Sequence, residues 1–126
     1  MSRIVQDLPD AELAVLQKLW EHGPATIRQL TDALYPDGTG VHYATVQKLL
    51  ERLEAKACVA RDRSSWAHVF RPVIGRDEFI GRRLEAVAER LCGGSITPLL
   101  TNLVRSKKLT PQERREIRKL MEEMDL

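Results

Sequence analysis

Residues 41–57 combine two patterns of hydrophobic and polar positions on one predicted helix. Apolar side chains recur there at i, i+3, i+4 and i+7, the spacing of a helix that packs against other helices. These are Val46, Leu49, Leu50 and Leu53. The remaining face is polar and consists of Thr45, Gln47, Lys48 and Arg52. Amides and hydroxyls can bond base edges and cations can bond phosphates, so this face suits a helix that enters a DNA major groove.

Two shorter helices are predicted before this one. The first runs from about Asp10 to His22, and Gly23-Pro24 ends it. The second runs from Thr26 to about Leu34 and begins with a capping box of Thr26 and Gln29. Their apolar stripes are Leu13, Leu16, Leu19 and Trp20 in the first helix and Ile27, Leu30 and Leu34 in the second.

After Ala57 the hydrophobic period changes from that of a helix to that of strands. Residues 58–62 and 67–71 are predicted as two short strands, with Arg63 to Trp66 at the hairpin tip and Pro72 ending the second strand. Three helices followed by a hairpin predict a winged helix-turn-helix over residues 1–73. The fold class is therefore mainly α with a small β-hairpin wing.

Residues 74–126 are predicted to form three short helices that serve as a dimerisation domain. The last helix begins at Thr110-Pro111, where Thr110 and Glu113 have capping-box spacing. Short helices with single apolar stripes cannot form an independent core, and the simplest partner is a second copy, which predicts a two-fold homodimer. The predicted dimerisation residues are Phe79, Ile80, Leu84, Val87, Leu91, Ile96, Leu99, Leu100, Leu103, Ile117, Leu120, Met121 and Met124.

Charge and composition narrow the function classes. The chain has 126 residues and a formal net charge of +2, which is not a nucleic-acid signature. Residues 1–72 carry nine Lys+Arg and nine Asp+Glu, so any DNA contact must depend on local placement of cations. The neutral charge favours the alternative hypothesis that the winged helix is a protein-interaction module without specific DNA binding.

Nothing in the sequence predicts an enzyme, a metal site or a cofactor. Cys58, His68 and Cys92 match no metal-ligand spacing, and no catalytic or phosphate-binding motif appears. No segment is apolar enough for a signal peptide or a membrane span, so we expect a cytoplasmic protein without membrane insertion.

The ordered set of segments resembles the penicillinase-repressor family of transcriptional repressors over nearly the whole chain. The matching segments are DAELAVLQKLW, YATVQKLLERLEAKA, VFRPV, CGGSITPLLTNLV and LTPQERREIRKLMEE. The resemblance implies an N-terminal winged helix that binds double-stranded operator DNA at an inverted repeat, and a C-terminal segment that dimerises. It also implies that the repressor is released from DNA when its chain is cleaved after an Asn, and a membrane sensor protease is the candidate partner for this cleavage. The matching bond here is Asn102–Leu103. On the residues alone, an Asn on an apolar helix face is more often a satisfied polar group of an interface, and this is the interpretation we favour for Asn102.

The family motif assigns DNA contacts to specific positions. We expect Thr45 and Gln47 to contact base edges and Lys48 and Arg52 to contact phosphates. Further candidates are Arg28 for a phosphate, Tyr43 for DNA or for supporting the helix entry, and Arg61, Arg63 and Arg71 for the wing.

Three departures from the family pattern change these expectations. Lys56-Ala57 replaces a common Lys-Gly, so we expect the third helix to end differently. Ser65-Trp66 replaces a common Gly-Arg at the wing tip, where Trp66 could be a groove wedge, a stacking group or a partner contact. We favour folding of Trp66 back onto the strand pair. The chain lacks paired Cys-x-Cys motifs, so copper sensing is not expected.

Overall fold

The computed structural model describes residues 7–106 and 109–124. The elements in chain order are α1 (Asp10–His22), β1 (Ala25–Thr26), α2 (Ile27–Leu34), α3 (Gly40–Ala55), β2 (Val59–Asp62), β3 (Val69–Pro72), α4 (Arg76–Cys92), α5 (Thr97–Arg105) and α6 (Pro111–Met124). The predicted bounds of α1 are confirmed. The chain forms two compact units that divide between Arg83 and Leu84, inside α4.

The first unit is a winged helix built around one hydrophobic core. Helices α1, α2 and α3 pack on one another, and a small antiparallel sheet has the strand order β1-β3-β2. Phe70 lies in the central strand opposite Ala25 and Arg61, and its ring is buried. The core residues with almost no exposure include Val15, Leu16, Leu19, Val46, Leu50, Leu53, Cys58 and Phe70.

The unit extends past the predicted boundary at residue 73. Ile74 and Phe79 are buried in the core of the first unit, and Trp20 Nε1 donates a 2.9 Å hydrogen bond to the Ile74 carbonyl. The Phe79 and Trp20 rings lie 5.6 Å apart. The prediction that Phe79 is a dimerisation residue is therefore wrong, because its side chain is used within its own unit.

Two predicted helix starts are confirmed by reciprocal capping. The Gln29 N–H donates to Thr26 Oγ1 while the Thr26 N–H donates to Gln29 Oε1, at 3.1 and 2.8 Å. The Glu113 N–H donates to Thr110 Oγ1 and the Thr110 N–H to Glu113 Oε1, at 3.1 and 2.9 Å. Hydrogen bonding of the exposed Glu113 carboxyl to the backbone N–H and then to the side chain of Thr110 lowers the pKa of that carboxyl. Such caps satisfy backbone N–H groups that the first helical turn leaves without partners.

The residue that follows the end of α3 has the left-handed backbone conformation that glycine usually adopts there, but this residue is Ala57. Ala57 has φ of 62°, in the left-handed region. The Cys58 N–H donates to the Leu53 carbonyl and the Ala57 N–H to the Glu54 carbonyl, at 2.9 and 3.0 Å, which is a Schellman motif. The expectation of a different helix end was therefore wrong, and Ala57 accepts a conformational cost of about 1 kcal/mol.

A buried ion pair also secures this end of α3. Lys56 Nζ lies 2.6 Å from Glu12 Oε1, and the Glu12 side chain is buried in α1. A carboxylate removed from water is stable only when it is paired, so the contact fixes the end of α3 against α1.

The second unit buries far less. No residue of α5 or of the described part of α6 is buried. Exposed apolar side chains of the unit are Leu84, Leu91, Ile96, Leu100, Leu103, Val104, Leu120, Met121 and Met124. Several of them border a cavity of about 810 Å³ between the end of α5 and α6. Across the described residues, no helix is long and apolar enough to cross a membrane.

Candidate nucleic-acid interface

The polar face of α3 points away from the core of the first unit. Val46, Leu49, Leu50 and Leu53 are buried, while every predicted contact residue on the opposite side is exposed. At about 100° of rotation per residue, Lys48 lies near the centre of this face, and Arg52 lies between Lys48 and Thr45. Thr45 and Gln47 lie at its two edges. The structure therefore brings these residues together on one accessible helix surface.

Thr45 and Gln47 differ in the hydrogen-bonding groups they can offer. Thr45 Oγ1 donates to the Val41 carbonyl at 3.0 Å, so its proton is used inside the helix and its lone pairs and methyl group face outward. The side-chain amide of Gln47 has no hydrogen-bond partner among the described residues. Its amide keeps both a donor and an acceptor, the pair of groups that bonds an adenine edge bidentately. Gln47 is thus the stronger candidate for base contact.

The cations of α3 are accessible for phosphate contact. Lys48 Nζ lies 3.8 Å from Glu51 Oε1, a loose and exposed ion pair that contributes little. Arg52 has no ion-pair partner in the part of the chain that the structure describes. Both cations can therefore approach phosphate oxygens without breaking a strong contact.

Two exposed residues on this face were not among the predicted contacts. Val41, at the start of α3, is 74% exposed and offers an apolar surface of the kind that contacts a thymine methyl group. Glu51 places a carboxylate beside Lys48, where it can accept a hydrogen bond from a cytosine amino group or repel phosphate. A helical projection of α3 would have found both, since neither belongs to the apolar stripe.

A second cation lies at the start of α2. The Arg28 guanidinium is 5.5 Å from the centre of the Tyr43 ring, a cation–π contact between α2 and α3. Arg28 is exposed and Tyr43 is half-buried. Tyr43 therefore packs against Arg28, and its role in contacting DNA or in supporting the entry of α3 stays a prediction.

Arg61 does not belong with the exposed wing cations. Its Nη2 donates to Glu54 Oε1 at 2.9 Å, and its guanidinium lies 4.8 Å from the centre of the Phe70 ring. Only 15% of its side chain is exposed. The structure thus assigns Arg61 to joining the wing to α3, and we remove it from the predicted DNA contacts. Arg63 and Arg71 are both exposed.

Among the large hydrophobic side chains that the structure describes, the one at the wing tip is the most exposed. Trp66 is 99% exposed, so the prediction that its indole folds back onto the strand pair was wrong. It borders a groove of about 480 Å³ whose other lining residues are Thr26, Ile27, Arg28, Tyr43, Ala67 and His68. The indole therefore lies on the side of the first unit that carries the start of α2 and the start of α3.

Both cysteines are free thiols, Cys58 buried and Cys92 partly exposed. Among the residues that the structure describes, no group of three His, Cys, Asp or Glu side chains could hold a metal ion. Burial raises the pKa of the Cys58 thiol. The charge of nearby Lys56 lowers this pKa, and the charge of Glu12 raises it. A buried and protonated thiol is unreactive.

Asn102 lies in the middle of α5. Its Nδ2 donates to the Pro98 carbonyl at 3.0 Å, and the residue is exposed. Cleavage of the Asn102–Leu103 bond would require this helix to open locally. The assignment of a cleavage site therefore stays a prediction.

The family model and the curated relatives that match this chain indicate the same family. The family model described as "Penicillinase repressor" matches residues 8–123. The curated "Transcriptional regulator BlaI" of Mycobacterium tuberculosis, in strains CDC 1551 and H37Rv, is 33% identical over 120 residues, which cover 94% of this chain and 85% of that protein. Among solved structures, a MarR family protein from Bacillus stearothermophilus aligns over 96% of this chain and 78% of its own, with 24% identity and a TM-score of 0.49.

Proposed function

The chain belongs to the penicillinase repressor family, and we propose that it is a homodimeric transcriptional repressor that binds a palindromic operator. The observation that carries this proposal is the exposed face of α3, on which an unpaired Gln47 amide lies beside Lys48 and Arg52. These are the groups required for base and phosphate contact, placed on the helix that follows a helix-turn-helix connection.

In the proposed complex, α3 of each protomer lies in a major groove. Gln47 and Thr45 contact base edges, while Lys48, Arg52 and Arg28 contact phosphates. Arg63 and Arg71 on the wing contact the adjacent backbone. The two half-sites then lie about one helical turn apart, roughly 34–36 Å. Repression follows from occupancy, because a dimer on promoter DNA excludes polymerase.

The second unit supports the homodimer. Its helices α5 and α6 leave apolar side chains exposed around the cavity near Met121, which a second copy of the unit could cover. Dimerisation strengthens operator binding, because one protomer alone loses the effective concentration gained from the second half-site. Proteolysis at Asn102–Leu103 would remove α6 and release the operator without changing α3.

The test is fluorescence anisotropy of a labelled duplex from the gene's own upstream region against a scrambled duplex, at two salt concentrations. We expect binding at least about 1000-fold tighter to the upstream duplex. The affinity should fall steeply with salt, because phosphate contacts release counterions. Equal and weak binding to both duplexes would contradict the proposal. The alternative of a protein-interaction module would then be preferred.

A further inference from the structure

Trp66 is an apolar side chain with no contact to explain its position at the wing tip. An indole is a large amphipathic group that normally gains stability by burial, yet this one is 99% exposed. The backbone around it is held by two local hydrogen bonds. The Ser64 N–H donates to Asp62 Oδ1 at 2.9 Å, and Ser65 Oγ donates to the Ala67 carbonyl at 3.0 Å. The tip therefore presents the indole from an ordered turn.

The direction of Trp66 matches the face expected to meet DNA. The indole borders the same groove as Arg28 and Tyr43, which lie at the starts of α2 and α3. When α3 occupies a major groove, the neighbouring phosphate strand passes the start of α2, and a wing on the same face reaches the next minor groove. Trp66, a fully exposed large side chain at the wing tip, is then within the part of the wing that meets the bases there.

The side chains of the wing suit two different parts of the DNA, because the exposed arginines suit phosphates and the indole suits the bases. Arg63 and Arg71 are exposed and suit phosphates, whereas Arg61 is held by Glu54 and Phe70. A minor groove can be entered by cations or by apolar wedges, and this tip carries one of each, Arg63 and the 99% exposed Trp66, of which Trp66 is the candidate wedge. Wedges insert most easily at pyrimidine–purine steps, since these steps unstack readily.

We propose that Trp66 inserts its indole into the minor groove beside each half-site and makes binding depend on the deformability of that flanking step. The inference rests on the proposed function, because it requires operator binding by α3. It adds specificity at base pairs outside the reach of Gln47.

The experiment varies the flank and the tip together. The upstream duplex of the anisotropy assay is prepared in two forms, with either a TA step or a stiff A-tract beside each half-site. The wild type, Trp66→Ala and Trp66→Phe are compared on both duplexes, with Arg63→Ala as the matched wing control. We expect the wild type to prefer the TA flank by about 10-fold. Trp66→Ala should abolish this preference, Trp66→Phe should retain most of it, and Arg63→Ala should weaken both duplexes equally.

Tryptophan fluorescence gives a second readout. The chain has two tryptophans, so the emission difference between the wild type and Trp66→Phe isolates the indole at the wing tip. We expect acrylamide to quench this difference signal freely without DNA and at least several-fold less in the complex, since a stacked indole is shielded from solvent.

The outcomes separate the inference from the proposed function. An unchanged flank preference in Trp66→Ala, with operator preference intact, overturns the wedge and leaves the repressor proposal standing. If acrylamide still quenches Trp66 fully in a specific complex, the wedge is likewise overturned and the repressor proposal stands. A wild type that does not distinguish the upstream duplex from scrambled DNA overturns both.

Discussion

The two compact units use similar amphipathic helices with opposite results. In the first unit, the apolar stripes of α1 and α3 meet each other and the ring of Phe70, and Leu16 and Leu50 have no exposed surface. In the second unit, α5 and α6 bury none of their described residues. The difference shows that an apolar stripe predicts burial but not the source of the covering surface. The apolar stripes of the first unit are covered within one chain, whereas those of α5 and α6 stay exposed, and we propose that a second copy covers them.

The largest expected effect is on the core of the first unit. Leu50→Ala removes a fully buried side chain and should lower the free energy of unfolding by about 2–5 kcal/mol. Urea unfolding followed by circular dichroism measures the loss. The matched change in the second unit is Met121→Glu, at a side chain that is 59% exposed.

Met121→Glu should leave the unfolding of the first unit nearly unchanged and shift the protein toward monomer in sedimentation, because a carboxylate is unfavourable in an apolar interface. A variant that remains dimeric would contradict the role of this surface. If Leu50→Ala proved as mild as an exposed substitution, the contrast between the units would fail.

The next effect concerns the different roles proposed for the residues of α3, base contact for Gln47 and phosphate contact for Lys48. Gln47→Ala should cost about 1–3 kcal/mol on the upstream duplex and much less on scrambled DNA, because only base contacts carry specificity. Lys48→Ala should weaken both duplexes and reduce the salt slope by about one unit. Anisotropy titrations across salt concentrations distinguish the two. Equal weakening of both duplexes by Gln47→Ala would exclude it from base contact.

A smaller effect distinguishes the two arginines that were predicted together for the wing. Arg61→Ala should lower the free energy of unfolding by about 1–2 kcal/mol, because it removes the contacts with Glu54 and Phe70. Arg63→Ala should leave stability unchanged and lower the salt slope of DNA binding. Thermal unfolding and anisotropy together test both variants, and the reverse result would return Arg61 to the DNA contacts.

The smallest effect lies at the end of α3. Ala57→Gly should raise the free energy of unfolding by about 0.5–1 kcal/mol, since glycine adopts the left-handed conformation without a Cβ penalty and loses part of that gain to chain entropy. Ala44→Gly, inside the same helix, is the control and should destabilise by about 1 kcal/mol. Urea unfolding measures both. A destabilised Ala57→Gly would refute the Schellman geometry.

Local features of this protein were accessible from the sequence. The capping boxes at Thr26 and Thr110 join residues three positions apart, so their residue types alone indicate the helix starts. The bounds of α1 and the buried stripe of α3 follow from periodicity. The polar face of α3 could be predicted for the same reason, because a helix with one buried side must expose the other.

The remaining decisions required tertiary structure, since they depend on residues far apart in the chain. Phe79 was assigned to a dimer stripe, but the fold of α4 brings it to Trp20 and into the core of the first unit. Arg61 was grouped with the exposed cations, yet sheet register and α3 place Phe70 and Glu54 beside it. Trp66 was expected to fold back, and only the hairpin geometry leaves it exposed. Sequence patterns determine which faces are apolar, whereas three-dimensional packing decides which surface covers each one.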